Sequence, residues 1–301
     1  FNAPVLFWDV SQVKNMRYMF YSAEAFNQFL HLWNTENVEN MDFMFCGARN
    51  FNRDINTWNT QKVTSMAGMF FGAAEYNQAM HNWNTSLVGD MSNMFHGAIK
   101  FNQPIGDWNT TQVTNMSSMF QNANVFNQDL ENWDVSHVTN MSFMFKSAFR
   151  FNGKLTNWQT NALEKMDEMF LAAFDFNQAI GHFDVSRITD MSRVFMFCHS
   201  FNQNIENWDV SNVENMKEMF YYAYNFNSPL NHWDVRQVKD FSSMFEESVA
   251  FNQDLDLWQL DSALNLSKMF AYAKAFNGKI ETWNTKNVTR FGQLFFRAEN
   301  F

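Results

Sequence analysis

A Phe-Asn pair returns every 25 residues without an insertion, from Phe1-Asn2 to Phe276-Asn277. Tyr76-Asn77 is the one variant, and Phe301 opens a further copy. A fixed period of this length marks units that cannot bury an apolar face alone and must stack on their neighbours. Residues 1–301 therefore read as a single solenoid of twelve repeats. They start at Phe1, Phe26, Phe51, Tyr76, Phe101, Phe126, Phe151, Phe176, Phe201, Phe226, Phe251 and Phe276. The repeats fill the chain and leave no room for a separate catalytic domain.

The sixth copy shows the pattern. Its first ten residues, Phe126 to Val135, carry Leu130 and Trp133 among polar residues. The Leu130 position is aliphatic throughout and the Val135 position is mostly Val or Thr, a composition that predicts a strand. Strands repeated in every copy would pair into one parallel sheet. Further on, Val138, Met141, Met144, Phe145 and Ala148 fall at the spacing of one helix face. Ser136 suits an N-cap there, and Ser211 with Glu214 a capping box. The expectation is an α/β solenoid of strand-turn-helix coils.

Three ladders would hold it together. Phe20 and its successors to Phe295 are Phe in all twelve copies, and Trp holds its position in eleven, with Phe183 in the eighth. Asn2, Asn27, Asn52, Asn77, Asn102, Asn127, Asn152, Asn177, Asn202, Asn227, Asn252 and Asn277 form the third. Stacked amides of this kind bond the neighbouring backbone and each other, and their strict recurrence between core residues predicts a buried ladder. Cys46 and Cys198 stand six copies apart and are expected to be unpaired. Cys198 takes a small-residue position in the core, whereas Cys46 falls in a variable one.

The unit FNQDLENWDVSHVTNMSFMFKSA, Phe126 to Ala148, resembles the 25-residue mycoplasma-lipoprotein-type repeat of the BspA-like leucine-rich-repeat surface proteins. The resemblance covers the whole chain. It implies a leucine-rich-repeat-like solenoid displayed outside the cell or at its surface, with adhesive or structural roles, and offers no catalytic residues to carry over. Departures at Gln159, Phe183, Val194, Phe241, Gln259 and Leu266 keep apolarity or hydrogen bonding at their positions.

Signs of chemistry are few. The carboxylates Glu246-Glu247 and Asp254/Asp256 read as solvated faces. Asp9, Asp134, Asp184, Asp209 and Asp234 share a position with Asn or Gln and read as Asx turns rather than a calcium ladder. The His residues lack metal-ligand spacing, and no nucleophile–base set or phosphate loop occurs. Neither enzymatic activity nor a cofactor or metal is expected. A net charge of −10 with dispersed Lys and Arg argues against nucleic acid, and no run approaches a membrane span.

Two surface features remain. Sequons lie at Asn84, Asn109, Asn115, Asn140, Asn265 and Asn287. Variable positions carry apolar clusters: Tyr18, Tyr21, Phe43 and Phe71; Phe143 and Phe149; Met196, Phe197, Tyr221, Tyr222 and Tyr224. Such clusters suggest contact surfaces. No polar cap is evident at Phe1 or Phe301, which predicts either more chain or end-to-end stacking. The leading expectation is a non-enzymatic extracellular structural protein of a filament, sheath or stalk, self-associating end to end or laterally. The alternative is an adhesin gripping surface glycans or a host or matrix protein. A weaker one is an ice or mineral binder using the row Thr35, Thr60, Thr85 and Thr110.

Overall fold

The computed structural model describes residues 1–301, which divide into two compact units, Phe1–Trp158 and Gln159–Phe301. Positions in each 25-residue copy are numbered here as slots 1 to 25 from its Phe or Tyr. Every copy is a closed coil of turns. It contains no helix, and its one β element is a single-residue parallel bridge at slot 15. The bridges run Asn15–Asn40–Ser65–Asp90–Asn115–Asn140 in the first unit and Asp190–Asn215–Asp240–Asn265–Arg290 in the second. The α/β fold of strands and helices expected from sequence is thus overturned. The slot 1–10 segment forms no strand, and Ser136 and Ser211 cap no helix. The Ser136 and Ser211 amides instead donate to the Asp134 and Asp209 side chains, closing Asx turns.

The segment taken for a helix is a ladder of turns. In the fifth copy the amides of Met119, Gln121 and Ala123 donate three residues back, to Met116, Ser118 and Phe120. The amides between them, of Met116, Ser118, Phe120 and Asn122, donate to Asn140, Ser142, Met144 and Lys146 of the next coil at 2.8–3.0 Å. Alternate N–H groups therefore point along the stack and into their own coil. In the second unit Met216, Glu218, Phe220 and Tyr222 repeat the pattern onto Asp240, Ser242, Met244 and Glu246. An α-helix sends every N–H to its own i−4 carbonyl and leaves none for a neighbour.

The alternation depends on two left-handed residues per coil, at slots 18 and 22. Among them are Tyr18 and Ser22 (φ 60° and 56°), Ser118 and Asn122 (56° and 58°), and Glu218 and Tyr222 (57° and 58°). Only Gly47, Gly68, Gly72 and Gly97 occupy such sites without a side chain. Each non-glycine residue held there costs on the order of 1 kcal/mol or more. Its cross-coil bond returns a similar amount, about 0.5–1.5 kcal/mol. The near balance leaves the decision to burial. Slots 13, 16, 19, 20 and 23 carry the core in the fifth copy as Val113, Met116, Met119, Phe120 and Ala123, all buried. Each of the larger of these side chains contributes about 1.5–3 kcal/mol.

Aromatic rings tie the coils together inside. Phe95 and Phe120 stack at 5.7 Å, and Phe120 lies 4.0 Å from the Phe126 ring at a mutual angle of 8°. From Trp33 onward the indoles do more than fill space. Trp33 Nε1 donates to the Val5 carbonyl at 3.0 Å, Trp133 to Ile105 at 2.9 Å and Trp258 to Leu230 at 2.9 Å. The Thr side chains of slot 10 are buried too. Thr35, Thr60, Thr85 and Thr110 give their hydroxyls to carbonyls of the next coil, so no exposed Thr row exists for ice or mineral.

One slot violates this economy. Tyr76 stands where the other copies have Phe, is fully buried, and its hydroxyl has no hydrogen-bond partner. A stranded buried hydroxyl costs about 1–3 kcal/mol. Tyr76→Phe is therefore expected to stabilise the protein by roughly 1 kcal/mol in chemical denaturation. A loss of stability would show that the hydroxyl is satisfied in solution.

Candidate contact surface

Slots 1, 5, 8, 13, 16, 19, 20 and 23 are committed to the interior, so the side chains free to meet a partner belong to other slots. The outer edge of the turn ladder offers slots 18, 21, 22 and 24. In the first unit they bring together Tyr18, Tyr21, Phe43 and Phe71, as the sequence grouped them. Tyr18 stacks on Phe43 at 5.4 Å and meets Tyr21 edge-on at 5.5 Å. Phe43 lies across the next coil, where Gly68 makes room for it: a Cβ there would overlap the ring. The Arg17 guanidinium covers Tyr18 at 4.7 Å. These rings wall an apolar notch of about 500 Å³ whose floor includes Cys46.

The second unit has a counterpart of about 480 Å³ between slots 22 and 24. Phe197 and Tyr222 line one side, and Phe174, His199 and Tyr224 the other, above Leu171 and Ala172. Phe174 and His199 stack at 4.8 Å, His199 and Tyr224 at 4.7 Å. Tyr221 stands beside this cavity, its hydroxyl pKa pushed up to about 12 by burial and then by Glu246. Met196, grouped with these residues in the sequence, is half-buried and does not line the cavity. Phe143 and Phe149 are also half-buried, with Lys146 Nζ 5.2 Å from the Phe143 ring. Cys46, Phe174 and His199 were missed by sequence reading. Their slots, shared with Tyr21 and Tyr224, were the available signal.

Other candidate residues fall elsewhere. The Asn ladder sits on a half-exposed rim and not in the core. Asn52, Asn77 and Asn102 Oδ1 each accept the next Asn amide at 2.9–3.0 Å and also a Gln side chain, while Asn2, Asn127, Asn202, Asn252 and Asn277 are exposed. Asn27 and Asn227 repeat the bond, accepting from Asn52 and Asn252. Asn152 and Asn177 are half-buried, and Asn177 accepts from Asn202. Among the sequons, Asn84 and Asn109 are exposed, each holding its own Ser86 or Thr111 hydroxyl at 2.7 Å. Asn115, Asn140 and Asn265 belong to the bridge slot and close Asx turns there. Asn287 is exposed and donates its amide to Asp261. Cys46 proves buried despite its variable slot, and its thiol pKa is raised by that burial. Cys198 is also a free thiol, donating to the Phe170 carbonyl.

The carboxylates are mostly occupied. Asp9, Asp134, Asp184, Asp209 and Asp234 each accept an amide two residues on. Glu246 is no solvated face residue: it is buried and faces Lys268 at 3.5 Å. No three His, Cys, Asp or Glu side chains converge as a metal site would require, and no helix is long and apolar enough to cross a membrane.

His96 adds a pH dependence to this edge. Its ring stacks on Phe71 at 4.3 Å, and its Nδ1 is buried without a partner. Burial, then Lys146, lowers its pKa from the ordinary 6.5. The folded chain thus favours the neutral ring, and the associated stability is complete above 6.5 and lost as pH falls below it. Melting temperature is expected to fall between about pH 7.5 and 5.5, and less so in His96→Phe, which keeps the stack. Equal slopes in both proteins would contradict the assignment.

Four overlapping segments, residues 1–88, 73–183, 165–277 and 251–301, match the family model described as "Mycoplasma protein of unknown function, DUF285". No curated protein matches the chain.

Proposed function

Because the chain belongs to that repeat family, we propose that it is a non-enzymatic structural protein of the cell surface or exterior that acts by lateral self-association. One observation carries this: the recurring apolar slots are occupied in building the coils, and each unit carries an aromatic notch on variable slots of its turn ladder. The coils fix the spacing, and the edge supplies the contact. The resemblance to surface repeat proteins supports the location. Adhesion to glycans is the weaker alternative, for a physical reason. Sugars pack on open ring faces, whereas Tyr18 and Phe43, and Phe174, His199 and Tyr224, turn their faces toward one another.

Sedimentation velocity over a concentration series tests the proposal. The wild-type chain is expected to associate. Serine at Tyr18, Tyr21 and Phe71, combined with serine at Phe197, Tyr222 and Tyr224, is expected to abolish association while the variant, though less stable, still melts cooperatively above the working temperature. A wild-type protein that stays monomeric at every concentration, or a variant that associates unchanged, would overturn it.

A further inference from the structure

Two of the six sequons stand apart in what their side chains do. Asn84 and Asn109 hold slot 9 of the fourth and fifth copies, each followed by a buried threonine, Thr85 or Thr110, and then by Ser86 or Thr111. The threonine hydroxyls donate to the slot 9 carbonyl of the next coil, and the Asn84 amide donates back to Thr60 Oγ1 at 2.8 Å. The backbone is pinned there, while both asparagine side chains are exposed. Each Oδ1 accepts twice. Ser86 gives Asn84 its backbone N–H at 3.0 Å and its hydroxyl at 2.7 Å; Thr111 gives Asn109 the same pair at 3.1 and 2.7 Å. Nδ2 of both asparagines has no hydrogen-bond partner. An amide nitrogen is a poor nucleophile because its lone pair is shared with the oxygen. Two donors on that oxygen stabilise the charge that builds there as Nδ2 loses a proton, as an oxyanion hole does.

Neighbouring copies show that the fold does not need the hydroxyl. Asn34 and Asn59 close the same turn with the backbone N–H of Glu36 or Gln61, each at 3.1 Å. Asp184 accepts the Ser186 hydroxyl at 2.7 Å, but a carboxylate has no nitrogen to offer. The other four sequons lack the arrangement. Asn115, Asn140 and Asn265 are half-buried at the slot where each coil is bridged to its neighbours, which leaves no room for a bulky group. Asn287 is exposed, but its Nδ2 donates to the Asp261 carbonyl at 2.8 Å and the Thr289 hydroxyl donates to Leu264 at 3.1 Å.

The surroundings of the pair are open. Asn59 and Asp134, at the same slot in the flanking copies, are exposed as well. No residue of either sequon lines an aromatic notch, so a group attached here leaves both notches uncovered.

We propose that Asn84 and Asn109 form the chain's glycosylation site and take a sugar from a glycosyl diphosphate ester. Nδ2 attacks the anomeric carbon, and an N–C bond forms as the bond from that carbon to the diphosphate oxygen breaks. The diphosphate leaves with the electron pair, and the Nδ2 proton passes to a base of the transferase. The proposal rests on the surface or exterior location proposed above. Adjacent coils are about 5 Å apart, so the two sites crowd one another and one sugar per chain satisfies the pair.

Peptide mass mapping of the full chain, purified from the cells that make it, reads the site directly. Sugar is expected on Asn84, on Asn109 or on both, and on none of Asn115, Asn140, Asn265 and Asn287. A preassembled oligosaccharide identifies a lipid-carried diphosphate as the donor, and a single hexose a nucleotide-carried one. In the same cells, Ser86→Ala with Thr111→Val is expected to remove the sugar. That variant should still melt cooperatively, because both backbone N–H bonds of the turns remain. A bare wild-type chain recovered from the cell surface or the medium overturns the proposal and leaves the location standing. A bare chain confined to the cell interior overturns both. Sugar on any of the other four asparagines, or retained by the double variant, also excludes this site.

Discussion

Everything in this protein follows from how a 25-residue coil divides its backbone N–H groups between itself and its neighbour. Along slots 16 to 23 one amide closes a turn and the next crosses to the following coil, and two left-handed residues per coil make the peptide planes alternate. The local conformation is unfavourable for Tyr, Glu or Arg by on the order of 1 kcal/mol each. It persists because the crossing bond and the buried Met, Phe and Ala of the same segment outweigh it. A coil in isolation would have neither, so stacking and local structure stand or fall together.

The side-chain ladders follow from that register. With equivalent residues about 5 Å apart, identical flat side chains fall into stacks. Trp33 and Trp58 lie within 3° of parallel, and each indole N–H finds the carbonyl of a residue 28 positions earlier. The same register places charges opposite their equivalents. Arg193 lies between Glu168 and Glu218, and Lys239 meets Glu214, so in-register stacking is rewarded at the surface too. An exposed pair such as Lys239–Glu214 is worth little, about 0–1 kcal/mol, whereas the Arg193 pairs are part-buried. Exposed pairs discriminate against slipped pairings more than they stabilise the correct one.

Period, core slots and the aromatic ladders were legible in the sequence because they depend on which residues are buried, and burial repeats with the chain; the Asn ladder, expected in the core, lies on a half-exposed rim because its partners are the neighbouring coil's backbone and Gln side chains. The conformation of the buried segment was not. Val113, Met116, Met119, Phe120 and Ala123 fall on one side of a helix and equally on one side of a chain of three-residue turns. The distinguishing sign was glycine: Gly47, Gly68, Gly72 and Gly97 all fall at the two left-handed slots. It was masked by Tyr18, Phe43, Glu168 and Arg193 in the same slots, held there by tertiary context. The aromatic clusters were visible because variable slots face outward. The notch was not visible, because it depends on the shortness of Cys46 between Tyr21 and Phe71 and on Gly68 admitting the Phe43 ring.

The central claim is the left-handed turn ladder, and a pair of glycine substitutions in one coil tests it most directly. Ser118 has φ 56°, whereas its neighbour Ser117 is not left-handed. Chemical denaturation of Ser118→Gly should show stability unchanged or raised by up to about 1 kcal/mol, and Ser117→Gly a loss of roughly 0.5–1 kcal/mol. A loss of about 1 kcal/mol in both would mean that the segment is helical after all.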